Sequence, residues 1–218
     1  MLKQIVLLGG GKESFDAGRD QYSFEETYFI GIDRGAWRLL RLGLPLHLAV
    51  GDFDSLKKDE RMQVETAAEE VLSLPQEKDD TDTEAALNIV AERWPHLPIH
   101  AYGLLGGRLD HMLSNLYLVL EERYQVLTGS WFFYHPDYQV EVLRPGEHDI
   151  QAECRYSYLS FACLTPVSGL TLENVKYPLV DKNVSHAYTY VSNEFLPGQP
   201  SMRCSFREGY VLAIQARD

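Results

Sequence analysis

Over roughly the first 130 positions, apolar residues fall in short β-rich runs, separated by stretches with apolar side chains at helical spacing. The runs QIVLL (4–8), TYFIGI (27–32), LHLAV (46–50), EVLSL (70–74) and PIHAYG (98–103) predict five strands. Residues 36–42, 57–69 and 82–94 read as helices between them. In the last of these, Ala86, Ile89, Val90 and Trp94 recur at helical spacing, and Thr81 with Glu84 forms a capping-box signature. This alternation predicts an α/β domain with a mostly parallel, Rossmann-like sheet. From Gly129 the texture changes to short alternating runs: WFFYH, QVEVL, YSYLSFACL, GLTLENV, HAYTYVS and YVLAIQA, divided by turn-rich pieces such as RPGEHD and LPGQPS. That pattern predicts an all-β sandwich, giving an α/β domain over 1–130 and a β domain over 131–218. With only about 75 to 90 residues, the second domain is small enough to be expected to bury surface against the first or against a second subunit.

Composition narrows the partners. At 218 residues the chain can hold one large or two modest domains, and 45% hydrophobic with 24% charged residues is ordinary for a soluble globular protein. No apolar run approaches the roughly 20 residues that cross a bilayer, and MLKQIVLLGGGK reaches its glycines too early for a secretory leader. A net charge of −12 speaks against nucleic acid, whose phosphates need a basic face. It does not speak against a nucleotide, because bound magnesium supplies positive charge. Cys154, Cys163 and Cys204 are odd in number and lack CxxC spacing, so neither a disulfide framework nor a zinc site is expected, and a reducing cytoplasm suits them.

The candidate chemistry lies at three strand ends. In GDFDS, Asp52 and Asp54 follow the LHLAV run directly and belong just outside the carboxyl end of a strand, where open α/β sheets bind ligands. Their i, i+2 spacing aims both carboxylates at one cation if the chain stays extended. The same residues can equally form an acidic turn in which Asp54 or Ser55 caps the next helix. EKDDTDTE repeats the situation: Thr81 is the expected N-cap and Asp82 opens the helix, where its charge also gains from the helix dipole. Lys78 beside these acids makes sense as a phosphate clamp. In GLLGGRLDH, Gly106 and Gly107 allow backbone amides to approach an anion, Arg108 can hold phosphate, and Asp110 with His111 opens a helix. Read alone, His111 fits a structural first-turn residue better than a catalytic base. Three such clusters at successive strand ends point to a magnesium-nucleotide site. The Gly9–Gly10–Gly11–Lys12 stretch fits neither a Walker A loop, which needs glycine where Val6 stands and Ser or Thr where Glu13 stands, nor a dinucleotide fingerprint, which needs glycine where Ser14 stands. It is assigned no catalytic role.

In this order, IDRGAWRLL, VGDFDS, EKDDTDTE and GLLGGRLDH, followed by NVKYPL (174–179), VSNEF (191–195) and a closing YVLAIQ, resemble the motif set of the thiamine pyrophosphokinase family over nearly the whole chain. The resemblance implies transfer of a pyrophosphoryl group from ATP to the hydroxyl of thiamine, giving thiamine diphosphate and AMP. It implies an N-terminal ATP- and Mg2+-binding domain, a β-sandwich, and a homodimer with thiamine held between subunits. By position in the motifs, Asp52, Asp54 and Asp82 are the expected metal ligands, and Asp79, Arg108 and Asp110 complete the catalytic set. Asp33, Lys78, Thr81, Gly107, Arg108 and His111 are expected around the ATP phosphates, and Ser192, Asn193 and Tyr210 at thiamine, with Tyr210 where some relatives carry a stacking tryptophan.

Three other readings remain at this level. A pyrophosphokinase acting on another hydroxymethyl heterocycle, such as a pterin, would share the magnesium site, although NVKYPL and VSNEF favour thiamine. A non-catalytic nucleotide or thiamine sensor would have had freedom to lose some of the charged residues that are all present. The blandest reading makes the acids helix caps and solvated faces.

Overall fold

A computed structural model of the protein describes residues 1–11, 15, 22–75, 77, 79–127 and 129–218, and divides into two compact units, Met1–His135 and Pro136–Asp218. Lys12 and Lys78 lie outside the described residues.

The first unit contains strands β1 (Gln4–Leu8), β2 (Thr27–Ile32), β3 (Leu48–Gly51), β4 (Glu70–Ser73), β5 (Ile99–Tyr102) and β6 (Trp131–Tyr134). Among its described helices are α1 (Arg34–Arg41), α2 (Lys58–Ala67), α3 (Asp82–Arg93) and α4 (Leu109–Tyr117). The strands lie in the order β6-β5-β1-β2-β3-β4, and each paired neighbour is parallel. Ile5, Val6, Leu7 and Leu8 are all at most 1% exposed, as expected of a strand covered on both faces. Chain order reverses between β1 and β5, and at such a reversal the loops leaving two adjacent strands diverge and open a crevice at their carboxyl ends.

The WFFY run, which the pattern places at the start of the second domain, is the outermost parallel strand of the first unit. It pairs with β5 from Ile99↔Trp131 to Tyr102↔Tyr134, so the first unit extends to His135 rather than ending at 130. Helix α4 is nine residues long and passes into two short 3-10 turns, Leu118–Leu120 and Glu122–Tyr124.

The second unit is a sandwich of two antiparallel sheets. One has the order β12 (Tyr188–Asn193), β9 (Tyr158–Cys163), β14 (Val211–Ala216), β7 (Tyr138–Leu143). The other has the order β11 (Leu179–Val184), β10 (Val167–Glu173), β13 (Ser201–Phe206), β8 (Gly146–Gln151). Leu143, Leu159, Phe161 and Val211 of the first sheet pack against Ile150, Leu170, Met202 and Phe206 of the second. Three strands, β8, β11 and β13, are absent from the sequence reading. Strand β11 (LVDKNV) buries only Val184 fully and lies at a sheet edge, so it lacks the alternation that marks a strand. Strand β8 buries only Ile150.

Candidate active site

The IDRGA motif places the first acid. Gly35 opens α1 so tightly against β1 that a Cβ there would lie 1.7 Å from the Leu8 carbonyl oxygen, and a Cβ on Gly31 would lie 2.3 Å from Ala36 Cα. The close approach leaves Asp33 at the end of β2 with φ 50, its N–H donating to Val50 O at 2.7 Å. Its Oδ2 accepts from Ser55 Oγ at 2.8 Å, while its Oδ1 is buried and has no hydrogen-bond partner among the described residues. Burial pushes the Asp33 carboxyl above its ordinary range; the Ser55 hydroxyl opposes this, and the nearby Asp82 and Asp52 carboxylates add to it.

The GDFDS turn at the end of β3 supplies two more acids. Phe53 is buried and takes φ 58, which turns the chain so that Asp54 N–H donates to Asp52 Oδ1 at 3.0 Å. Arg34 Nη1 donates to Ser55 O at 2.8 Å and Arg61 Nη1 to Asp52 O at 3.3 Å, holding the turn from both sides. Carboxylate oxygens of Asp33, Asp52 and Asp54 come within 4.8 Å of one another. An all-oxygen, all-anionic set with one buried unsatisfied oxygen suits a hard divalent cation.

Beside this cluster, at the reversal between β1 and β5, lies a pocket of about 650 Å³. Gly9–Gly11 form one wall, Gly103–Leu104 and Gly106–Gly107 another, and Thr81–Thr83 and the start of α4 close it; Asp33 belongs to both the pocket and the acidic cluster. The glycine run after β1 therefore lines the site. Its role is spatial, since Gly9 N–H donates to Tyr102 O and Gly11 N–H to Gly103 O, at 2.8 and 2.9 Å. The only sequence signal for it was the glycine run itself, which fits no phosphate-loop template.

Among the expected residues, Thr81, Asp82, Gly107, Arg108, Asp110 and His111 all line the pocket. Thr81 caps α3 as anticipated, accepting from Glu84 N–H at 3.2 Å while Glu84 Oε2 accepts from Thr81 N–H at 2.7 Å. Arg108 forms a two-pronged ion pair with Asp110, at 3.2 and 2.6 Å, which holds the Asp110 carboxyl below and the Arg108 guanidinium above their ordinary values. Both side chains are largely exposed, so water competes with the pair. Asp79 is exposed and stands outside both the pocket lining and the acidic cluster. Asn115 and Ser114 line the pocket and were not anticipated; buried Asn115 donates to Leu104 O at 2.7 Å and ties α4 to the glycine loop.

In the second unit the NVKYPL and VSNEF motifs meet. Val175 bridges to Phe195, and Lys176 N–H donates to Glu194 O at 2.9 Å. Asn193, 4% exposed, spends its amide on this junction: Oδ1 accepts from Tyr177 N–H and Glu194 N–H, and Nδ2 donates to Tyr177 O, each at 2.9 Å. Ser192, at φ 59, is exposed beside it. Tyr177, Tyr188 and Tyr190 line an adjoining groove of about 270 Å³ at the open edge of the sandwich. Tyr210 is elsewhere. Strand β9 pairs Leu159 with Asn193 and Cys163 with Val211, so Ser192 and Tyr210 are separated by about four residues along the strands and two strand spacings, roughly 16 Å. One copy of the unit does not bring them together.

Known proteins resemble the chain across both units. Residues 20–128 match the family model "Thiamin pyrophosphokinase, catalytic domain", and residues 147–211 match "Thiamin pyrophosphokinase, vitamin B1 binding domain". The chain is 32% identical to the thiamine pyrophosphokinase of Bacillus subtilis, over 100% of both chains. The crystal structure of a thiamin pyrophosphokinase family protein from Enterococcus faecalis superposes with a TM-score of 0.88 at 37% identity, covering 99% of this chain and 100% of that one. The crystal structure of the Bacillus subtilis enzyme gives a TM-score of 0.85 at 31% identity, over 99% and 100%. The strand-end acids, the pocket they flank and these matches across both units lead to one conclusion: this chain belongs to the thiamin pyrophosphokinase family.

Proposed function

We propose that this chain transfers the β,γ-pyrophosphoryl group of ATP to the hydroxyl of thiamine, releasing AMP, and that its first unit is a Rossmann-like nucleotide-binding domain. The observation that carries the reading is the convergence of Asp33, Asp52 and Asp54 within 4.8 Å beside a pocket also lined by Asp82 and Arg108. Asp33, Asp52, Asp54 and Asp82 would hold Mg2+, which when bound neutralises the triphosphate and the charge that develops on transfer. In the transfer, the thiamine oxygen forms a bond to the β-phosphorus, the bond from that phosphorus to the α,β-bridging oxygen breaks, and AMP leaves with the electron pair. The hydroxyl proton passes to a carboxylate of the acidic set. Arg108 exchanges Asp110 for phosphate oxygens, and Thr81, Gly107 and His111 border the same space. Asp79, expected in the catalytic set, is exposed and lies outside both the pocket lining and the acidic cluster, and is given no role in the transfer.

Thiamine, a cation with an aromatic pyrimidine, suits the tyrosine-lined groove next to Ser192 through stacking and cation–π contact. With roughly 16 Å between Ser192 and Tyr210 within one copy, a single thiamine reaches both only if they come from two copies. Two uncovered apolar surfaces support a homodimer: Leu109, Leu113 and Tyr117 at i, i+4, i+8 along α4, and Tyr177, Val180, Tyr188 and Val191 on the second unit. Among the described residues no helix is long and apolar enough to cross a membrane, and the three cysteines are free thiols, which fits the cytoplasm.

The test is incubation with thiamine, ATP and Mg2+, followed by quantification of products. Thiamine diphosphate and AMP are expected in equal amounts; ADP as coproduct would reject pyrophosphoryl transfer. Sedimentation at micromolar concentration tests the dimer, and a fully active monomer would remove the intersubunit thiamine site.

A further inference from the structure

The acidic stretch that leads into and opens α3 carries Asp79, Asp80, Asp82 and Glu84 within six residues. Unopposed, these carboxylates repel one another and compete for the same cation. Their neighbours divide them. Arg123, on the 3-10 turn Glu122–Tyr124, donates from Nη1 to Asp80 Oδ1 at 2.8 Å, from Nη2 to Glu84 Oε1, and from Nε to Glu121 Oε2 at 2.7 Å. Asp80 is held a second time by Asn88 Nδ2, at 3.0 Å on its other oxygen. The hydroxyl of buried Tyr124 lies 3.1 Å from both Glu84 O and Asn88 Oδ1, so the arginine is anchored at the residue beside it. Asp80 and Glu84, two of the three acids on Arg123, flank Thr81, Asp82 and Thr83, the three residues of this stretch that line the pocket.

We infer that Arg123 is a positioning residue: by clamping Asp80 and Glu84 from outside the pocket, it fixes the start of α3 and with it the placement of the pocket-lining Asp82 carboxylate. Arg123 does not line the pocket, and its guanidinium already makes three carboxylate contacts. Its effect therefore passes through the backbone of 80–84. A planar fork is needed because the carboxylates approach three different nitrogens, a geometry an ammonium group does not reproduce. The inference rests on the reading of Asp82 as a metal and phosphate ligand.

The test compares Arg123→Ala, Arg123→Lys, Asp80→Asn, the Arg123→Ala/Asp80→Asn double variant and Asp82→Asn. Each is measured for turnover, for KM of thiamine, and for Mg2+ dissociation by calorimetry well below its melting temperature. Arg123→Ala is expected to weaken Mg2+ binding about tenfold and to lower turnover by a similar factor, as displaced outer-shell partners do. The KM for thiamine should stay within about twofold, since nothing in the second unit is touched. Asp80→Asn should act in the same direction, and the double variant should be no worse than the worse single one, because both remove one contact. Arg123→Lys should recover only part of the loss. If Arg123→Ala fails to fold, the isosteric Asp80→Asn carries the same expectation. Normal Mg2+ affinity and turnover in the clamp variants, with only a lower melting temperature, would reduce Arg123 to a structural tie and overturn the inference. If Asp82→Asn is inactive in that case, the functional reading survives; if Asp82→Asn is also fully active, that reading fails instead.

Discussion

Replacing Asp52 by Asn should make the metal-free protein more stable while disabling it. Asp33, Asp52 and Asp54 present oxygens within 4.8 Å of one another. Two unit charges at that limit repel by about 0.9 kcal/mol in bulk water and about 3.5 kcal/mol at an effective dielectric near 20. The substitution removes two of the three repulsive pairs. Asn keeps Oδ1 as acceptor for the Asp54 amide, so the turn is preserved. Because Asp54 is exposed, the water limit is the safer figure, and a gain of about 2 kcal/mol is expected in chelator at low ionic strength. For a chain of this size that corresponds to a melting temperature higher by about 4–8 °C. Salt should shrink the gain without abolishing it, since the charges lie well inside a Debye length of about 10 Å at 0.1 M.

Magnesium should reverse the ranking. A cation that binds only the native state stabilises wild type by mass action, and the variant forfeits most of that rise. Turnover should fall by at least about a hundredfold, because charge stabilisation at the transferring group depends on the metal. Melting curves in EDTA and in saturating Mg2+, with activity measured on the same samples, give the comparison. A variant less stable than wild type in EDTA, or one with an undiminished Mg2+-induced rise, would refute the account of the cluster as a repulsive cation site.

Further expectations concern other parts of the molecule. Gly11→Ala puts a Cβ 2.5 Å from the Gly103 carbonyl oxygen, a backbone atom that yields only if the loops after β1 and β5 shift apart; a loss of about 1–3 kcal/mol and a raised KM for ATP are expected, and unchanged melting would show the glycine loop to be compliant. Asn193→Ala strands the amides of Tyr177 and Glu194 and the Tyr177 carbonyl; chemical denaturation should show a loss of about 3 kcal/mol, roughly one per hydrogen bond, and a change near zero would mean the NVKYPL turn is held by other contacts. Burial pushes the Glu141 carboxyl from its ordinary 4.5 up to about 7. The folded protein therefore keeps a proton that the unfolded chain releases, and stability falls as pH rises through that window, by on the order of 3 kcal/mol once both states are ionised. Glu141→Gln should accordingly be more stable than wild type near pH 8 but not near pH 4, and parallel stability profiles would disprove it.

The acids at strand ends were legible because a parallel strand buried on both faces announces itself as a continuous apolar run, and the residues that follow such a run sit at its carboxyl edge. Thr81 with Glu84 was legible for a still more local reason, since a capping box is complete within four residues. Strand β13 could have been read from SMRCSF, where Met202, Cys204 and Phe206 alternate inward, while β11 and β8 could not, having one fully buried position each. Other assignments depended on which segments become neighbours. WFFY has the composition of a sandwich strand and became the outermost parallel strand of the first unit through its register with β5. Asp33 joined Asp52 and Asp54 because β2 lies beside β3 and Gly35 packs α1 onto β1. Neighbouring carboxylates in one motif parted company, Asp80 and Glu84 to Arg123 about 40 positions away and Asp82 to the pocket. Asn193 and Ser192, adjacent in VSNEF, face a backbone junction and solvent respectively. Sequence by itself determined what local periodicity and capping can specify: the buried strands, the capped helix and the kind of chemistry gathered at their ends. Tertiary structure alone decided how each side chain is used, because that depends on hydrogen bonds and charges supplied by residues distant along the chain.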